Sequence, residues 1–176
     1  NRMIWYATLA LLRCISSSPA SAVSALNERL NGVPATDAEQ AITSELTGDE
    51  GDDEIAADRE TPALADAGEE SVLRGLMAKA QSLYGPQNDP KLKALIAGLK
   101  PLIQDGFSPI VFCQFISTAN YVGQYLRKAF KTCHVQVVTG NLAPSEREEA
   151  VAALTADPRR ILVATNCLSE GINLQK

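Results

Sequence analysis

Three short stretches put polar residues or glycine directly behind an apolar run: Cys113-Gln114-Phe115 after SPIVF, Thr139-Gly140-Asn141 after HVQVV, and Thr165-Asn166 after RRILVA. Where a strand gives way to a turn, its backbone N–H groups lose their ladder partners and can face a ligand. A fourth stretch, SEGINLQ, residues 169–175, breaks both helical and strand periodicity without the composition of a disordered tail. Its Gly171 and Asn173 stand out as binding candidates, because glycine lets another backbone or a ligand come close. Each position also has a plainer role. Thr165 can end a strand, Gly140 can serve a strand-to-helix turn, Arg147 can be solvated or paired with a neighbouring glutamate, and Gln114 can be an interface polar residue.

Other chemistries lack their residues. The four cysteines, Cys14, Cys113, Cys133 and Cys167, form no C-x-x-C pair, and there is one histidine, so neither a zinc site nor a disulfide framework is indicated. Reduced thiols fit a cytoplasmic protein best. No G-x-x-x-x-G-K-[ST] phosphate loop occurs in the 176 residues. Asp52-Asp53-Glu54 follows no apolar strand and is a poor magnesium ligand set. No catalytic residue and no metal ligand is assigned.

The elements that must carry the strand ends follow from pattern. A chain of 176 residues with 45% hydrophobic content fits one compact domain with attachments. Residues 37–70 hold thirteen Asp/Glu against Arg59 alone, which leaves fifteen bases and eight acids elsewhere. The body is mildly basic and compatible with a polyanionic partner, or simply with solvated surface charge. At the N-terminus, NRMIWYATLALLRCISSSPASA imitates a secretory signal, but Arg13 interrupts the apolar run, and the run is too short to span a membrane. It predicts a helix over about 3–15, with Ile4, Leu11, Leu12 and Ile15 as its buried stripe. Ser18 and Pro19 open a second helix with Val23, Leu26 and Leu30 inward, ended by Gly32. Domain boundaries are expected at 1–31, a helical hairpin; 32–70, an acidic linker or insertion too polar to order itself; and 71–176, an α/β unit.

From about Glu69, Val72, Leu73, Leu76, Met77, Ala80 and Leu83 predict a helix ending at Gly85-Pro86, and Asp89-Pro90 opens another with Leu92, Leu95, Ile96, Leu99 and Ile103. SPIVFC reads as a strand covered on both faces. A helix capped by Ser117 follows, with Tyr121, Val122, Tyr125, Leu126, Ala129 and Phe130 on one face; then come strand HVQVVTG, helix PSEREEAVAALTA and strand RRILVAT. Such β-α-β-α-β alternation implies a parallel sheet with right-handed crossovers and helices on both faces, and ligands bind such sheets at the carboxyl ends of the strands.

IVFCQF, VVTGNLAPSERE and ILVATNCLSEGINLQ, in this order and spacing, resemble the second RecA-like lobe of superfamily 2 helicases and translocases. FCQF and GINL lean towards the Swi/Snf-like branch. The SEG-x-N-x-Q form looks most like bacterial members such as the RNA-polymerase-associated ATPase and phage-defence helicases. The resemblance covers about Pro90 to Gln175; the N-terminal helices and acidic insert resemble, less specifically, segments placed between the two lobes of such proteins. It implies a partial RecA-like parallel sheet of three or more strands, flanked by helices, in an ATP- and magnesium-dependent motor on double-stranded DNA or a DNA–RNA structure. By position, Thr165 would contact a strand phosphate, and Glu170, Gly171 and Asn173 would lie in the interlobe cleft near nucleotide. Gly140 and Arg147 match the family's Gly-x6-Arg segment beside the nucleic acid, with Thr139 and Gln114 at the same strand ends. Pro144 stands where DEAD-box relatives carry an RNA-contacting glutamine, which speaks against recognition of that type.

In the family, ATP hydrolysis also needs a phosphate loop and an arginine finger. The resemblance therefore predicts a fragment that is inactive alone, carries no cofactor by itself, and works with the first RecA-like lobe of its parent. The competing expectation is a non-catalytic Rossmann-like module recruiting a protein partner through its helical hairpin. An unfinished sheet exposes pairing groups, so a homodimer is a further expectation; a membrane partner is not.

Overall fold

Ser18 is a single non-helical residue between two helices, α1 (Arg2–Ser17) and α2 (Pro19–Asn31). Its Oγ accepts the Ser21 amide at 3.1 Å and satisfies one of the orphan donors in the first turn of α2. Pro19 sits at the first helical position, where a missing N–H costs nothing. The structure is a computed structural model and describes residues 2–31 and 67–165. It divides into two compact units, residues 1–83 and 84–176.

In the first unit, α3 (Ala67–Ser82) packs on α2, which in turn packs on α1. The expected hairpin is thus joined by a third helix, and the first compact unit runs through Leu83. Glu69 and Glu70 lie in the first turn of α3, where carboxylates favour the helix dipole. Arg29 on α2 donates from Nε and Nη2 to Glu69 Oε1, at 3.0 and 2.9 Å. Both partners are more than a third exposed, so the pair adds little stability and mainly fixes register.

The seams differ from the expected stripes. Cys14, Ser18, Ser21, Ala22, Ala25, Leu26, Leu73 and Ala80 are buried, while Leu12, Ile15, Val72, Leu76 and Leu83 are exposed. Small side chains let helices approach closely, and the narrow seam that results leaves larger flanking residues outside it. The side chain of Ile4 and residues 32–66 of the expected acidic linker, 32–70, lie outside what is described; the last four residues of that span open α3. No described helix is long and apolar enough to cross a membrane.

The second unit begins with a turn. Gly85 has φ +93°, a left-handed conformation open to glycine, and its carbonyl accepts the Asp89 amide at 2.8 Å. Asp89 caps α4 (Pro90–Gln104): Oδ1 accepts the Lys91 and Leu92 amides at 2.9 and 3.1 Å. Its Oδ2 accepts the Tyr121 hydroxyl at 3.0 Å, and that hydroxyl accepts the Gly85 amide at 3.1 Å. Both side chains are about 95% buried, and burial holds the Tyr121 phenol well above its ordinary pKa, so it stays a donor. Tyr121→Phe leaves a buried carboxylate oxygen and a buried amide without this partner; a loss of about 1–2 kcal/mol is expected. Urea denaturation measures it, and an unchanged midpoint contradicts the network's role.

The sheet is parallel, in the order β1 (Ile110–Phe112), β3 (Arg160–Ala164), β2 (His134–Val138). Helix α5 (Ile116–Ala129) connects β1 to β2, and α6 (Pro144–Thr155) leads back to β3 between them. The two crossovers step in opposite directions, so right-handedness places the helices on opposite faces. Their contacts agree. Val151 and Leu154 of α6 pack with Val138, Leu162 and Ala164, while Gly123 of α5 lies against Val137, which points the other way. Central β3 is buried from Ile161 to Ala164, as expected of a strand covered on both faces.

Two expectations fail in this unit. The strand in SPIVFC is not covered on both faces: Ile110 and Phe112 are exposed, because they share the face of Leu162 and Ala164, where α6 packs mainly on β2 and β3. Ser117 is not the cap of α5. The N-cap is Phe115, 1% exposed, with no side-chain cap bond; an aromatic anchor in the core sets the helix start instead.

Candidate nucleic-acid interface at the strand ends

All three strands end at one level, with Phe112 and Val138 both opposite Ala164. The ladder then continues one residue further: the Cys113 amide donates to the Ala164 carbonyl at 2.8 Å and the Thr165 amide to the Val138 carbonyl at 3.1 Å. Cys113, Thr139 and Thr165 are thereby fixed as the first residues beyond the sheet. Burial raises the Cys113 thiol to about 11, so it is protonated near neutral pH and is not a nucleophile there.

The loop after β2 is tied down from two sides. The Gly140 amide donates to Thr165 Oγ1 at 3.2 Å, which couples the end of β2 to the end of β3. Arg147, in the second turn of α6, donates from Nε to the Leu142 carbonyl at 2.8 Å and from Nη2 to the Gly140 carbonyl at 3.3 Å. The Leu142 amide closes the turn on the Thr139 carbonyl at 3.2 Å. Four of the residues singled out from sequence, Thr139, Gly140, Arg147 and Thr165, are therefore brought into one constellation. Gln114 stands at the same end of the sheet, behind β1, and takes no part in these bonds.

Exposure separates two kinds of residue within it. Thr139 and Thr165 are 7% and 5% exposed, whereas Gln114, Gly140 and Asn141 lie open to solvent. The threonines hold backbone in place; the Gly140 amide is spent on Thr165 Oγ1, which leaves exposed Gln114 and Asn141 as the residues whose amides can donate to a ligand. Such a rim of neutral donors on a fixed loop suits a phosphate oxygen, which accepts from backbone N–H and side-chain amides. Sequence reasoning anticipated neither the carbonyl partners of Arg147 nor the Glu146 cap. Glu146 Oε2 accepts the Ala143 amide at 2.8 Å; the acid three residues behind the N-cap was the available signal. Glu170, Gly171 and Asn173 lie outside the described residues.

A cavity of about 370 Å³ opens at the opposite end of the sheet, among Gln104, Thr132, His134, Asp157 and Arg159. His134 Nδ1 pairs there with an Asp157 carboxylate oxygen. It is far in topology from the strand-end loops, and its walls share no residue with them.

Residues 90–176 match the helicase conserved C-terminal domain. This segment belongs to that family. The helicase C-terminal domain here is a partial RecA-like α/β fold, with its three parallel strands flanked by helices. Among solved structures, a Sulfolobus solfataricus SWI2/SNF2 ATPase C-terminal domain is similar, at 16% identity and a TM-score of 0.47. The alignment covers 89% of this chain and 62% of that one, so this chain spans under two thirds of its length. No curated protein matches the chain. The β2 and β3 ends of the helicase C-terminal domain carry the constellation, and α6 supplies its brace.

Proposed function

We propose that the chain forms part of the second lobe of an ATP-driven nucleic-acid motor of superfamily 2, on its Swi/Snf-like branch, and that its strand ends contact the nucleic-acid backbone. The Gly140–Thr165 hydrogen bond, braced by Arg147, carries the proposal, because it holds the loop that bears exposed Gly140 and Asn141 rigidly at the ligand-binding edge of a parallel sheet. The family supports a helicase-like role, and FCQF and GINL support the branch. Gln114 and Asn141 supply donors and Gly140 allows close backbone approach; Thr139, Thr165 and Arg147 position them. Double-stranded DNA is the partner, and the first RecA-like lobe of the parent protein is the other wall of the cleft, with Glu170, Gly171 and Asn173 on this side of it.

The parent motor uses ATP and magnesium, which supply the free energy of translocation. The described residues of this chain do not fit that cofactor by themselves: they contain no cluster of three or more His, Cys, Asp or Glu able to hold a metal ion. Among the described residues the strand ends offer hydroxyls and amides, and their one arginine, Arg147, is committed to carbonyls. The chain alone is therefore expected to hydrolyse no ATP, with or without DNA. A phosphate-release assay checks this, and DNA-stimulated hydrolysis by the purified 176-residue chain contradicts it.

A further inference from the structure

The α4–α5 segment and helix α6 carry opposite charge. Residues 84–133, which include α4 and α5, contain Lys91, Lys93, Lys100, Arg127, Lys128 and Lys131, all exposed. Their acids are Asp89 and Asp105, and Asp89 is 5% exposed with both oxygens held inside the fold. Six exposed bases thus face one exposed acid. Helix α6 carries Glu146, Glu148 and Glu149 against Arg147, whose guanidinium is turned onto the loop.

Some of these bases have structural work. Arg127 and Lys128 occupy the last turn of α5, where cations favour the helix dipole; Arg127 Nε donates to the Val135 carbonyl, and Lys128 lies 4.8 Å from the Tyr125 ring centroid. The lysines of α4 do not fit that explanation. Lys91 and Lys93 stand in the first turn, the positive end of the helix, where a cation is disfavoured by a few tenths of a kcal/mol to about 1 kcal/mol. Lys93 and Lys100 form no ion pair with any described residue. They are seven residues apart, close to two turns, so they project from one side of α4 about 10 Å apart along its axis. The Asp89 carboxylate at the N-cap offsets part of that cost, and a pair of exposed lysines aligned on one side, where six exposed bases meet one exposed acid, suits a ligand that is strongly anionic and extended.

We infer that the exposed side of α4, centred on Lys93 and Lys100 and continued by the bases of α5, is a second nucleic-acid track, separate from the strand-end constellation and contacting phosphates without reading bases. The inference rests on the proposed nucleic-acid function and extends it to a surface one helical layer away from the sheet. Nucleic acid is favoured over an anionic membrane because the charge runs along the length of α4 beside the half-buried aromatic Tyr125, while the described residues of α4 place Leu102 alone among large apolar side chains in the open. A membrane surface would call for a row of them.

Binding of a short fluorescent DNA duplex to the full 176-residue chain, followed by anisotropy across a salt series, tests this. Lys93→Gln/Lys100→Gln is expected to bind about three- to tenfold more weakly at moderate salt, equally for unrelated sequences. The slope of log K against log salt should fall by roughly two, since each phosphate that a lysine no longer neutralises removes about 0.9 from it. Glu148→Gln/Glu149→Gln, on the acidic face, is the control and should bind no more weakly than wild type. An unchanged affinity and slope in the lysine variant overturns the second track; if Thr165→Val still weakens binding, the strand-end function survives. A wild-type chain that binds no duplex but binds phosphatidylserine vesicles through the same lysines overturns both the track and the nucleic-acid function.

Discussion

Replacing Gly123 with alanine is expected to destabilise the α/β unit by about 2 kcal/mol, even though alanine is the better helix former. A Cβ on Gly123 would lie 2.2 Å from Cγ2 of Val137, far inside van der Waals contact. Val137 cannot give way cheaply. It is β-branched, it lies on β2 in register with fully buried Val163, and β2 is hydrogen-bonded along its length to central β3. The propensity gain of Gly to Ala in a helix is about 1 kcal/mol, whereas forcing a methyl into a packed interface costs roughly 1–3 kcal/mol, and this overlap is at the severe end. The double variant Gly123→Ala/Val137→Ala distinguishes overlap from any general intolerance of the helix. It should recover stability relative to Gly123→Ala alone, with a coupling of about 1 kcal/mol or more in a double-mutant cycle. Equal or greater stability of Gly123→Ala in urea denaturation contradicts the close approach of α5 to β2.

Much of this architecture follows from the chain itself. The sequence IVF, HVQVV and RILVA, separated by an amphipathic stretch and a second helical one that opens with Pro144 and glutamates, is enough to predict parallel strands and crossovers, because an apolar run bounded by turn residues has few other uses. Asp89-Pro90 likewise marks the start of α4, since the carboxylate and the ring each suit one helix position. Coverage is a different matter. SPIVFC has the composition of a strand buried on both faces, and only the sheet order shows that β1 is at the edge of the described sheet, with Phe112 beyond the reach of α6. Ser117 is a good capping residue one position too late, because burial of Phe115 decides where α5 begins. In the candidate site, residue types at strand ends were legible, but their division of labour was not. Thr165 has the chemistry to meet a phosphate, yet its burial and its bond to the Gly140 amide depend on β2 lying beside β3, which no local pattern encodes. Arg147 is similar: its carbonyl partners exist only once the loop has folded back over α6.

The Thr165 hydroxyl is where position and function separate most clearly. Thr165→Val keeps shape and volume but removes the acceptor for the Gly140 amide, leaving the loop held by Arg147 and the Leu142–Thr139 turn bond without its tie to β3. A hydrogen bond of this kind contributes about 1 kcal/mol, and if the ordered loop is what meets the nucleic acid, duplex affinity should fall by about fivefold. Thr165→Ser restores the acceptor and should bind within about twofold of wild type, a difference of roughly 0.4 kcal/mol. Because the substitution is nearly isosteric, circular dichroism should show the same fold for all three proteins. Wild-type affinity in Thr165→Val would remove the coupled strand ends from the binding surface.

If the carboxyl ends of β2 and β3 form a nucleic-acid contact, amide chemical-shift mapping of the 176-residue chain during titration with a DNA duplex will locate it. The largest perturbations are expected at the backbone amides of Gly140, Asn141 and Thr165 and at the side-chain amide of Gln114. Perturbations that leave these four groups unmoved at saturating DNA would contradict it.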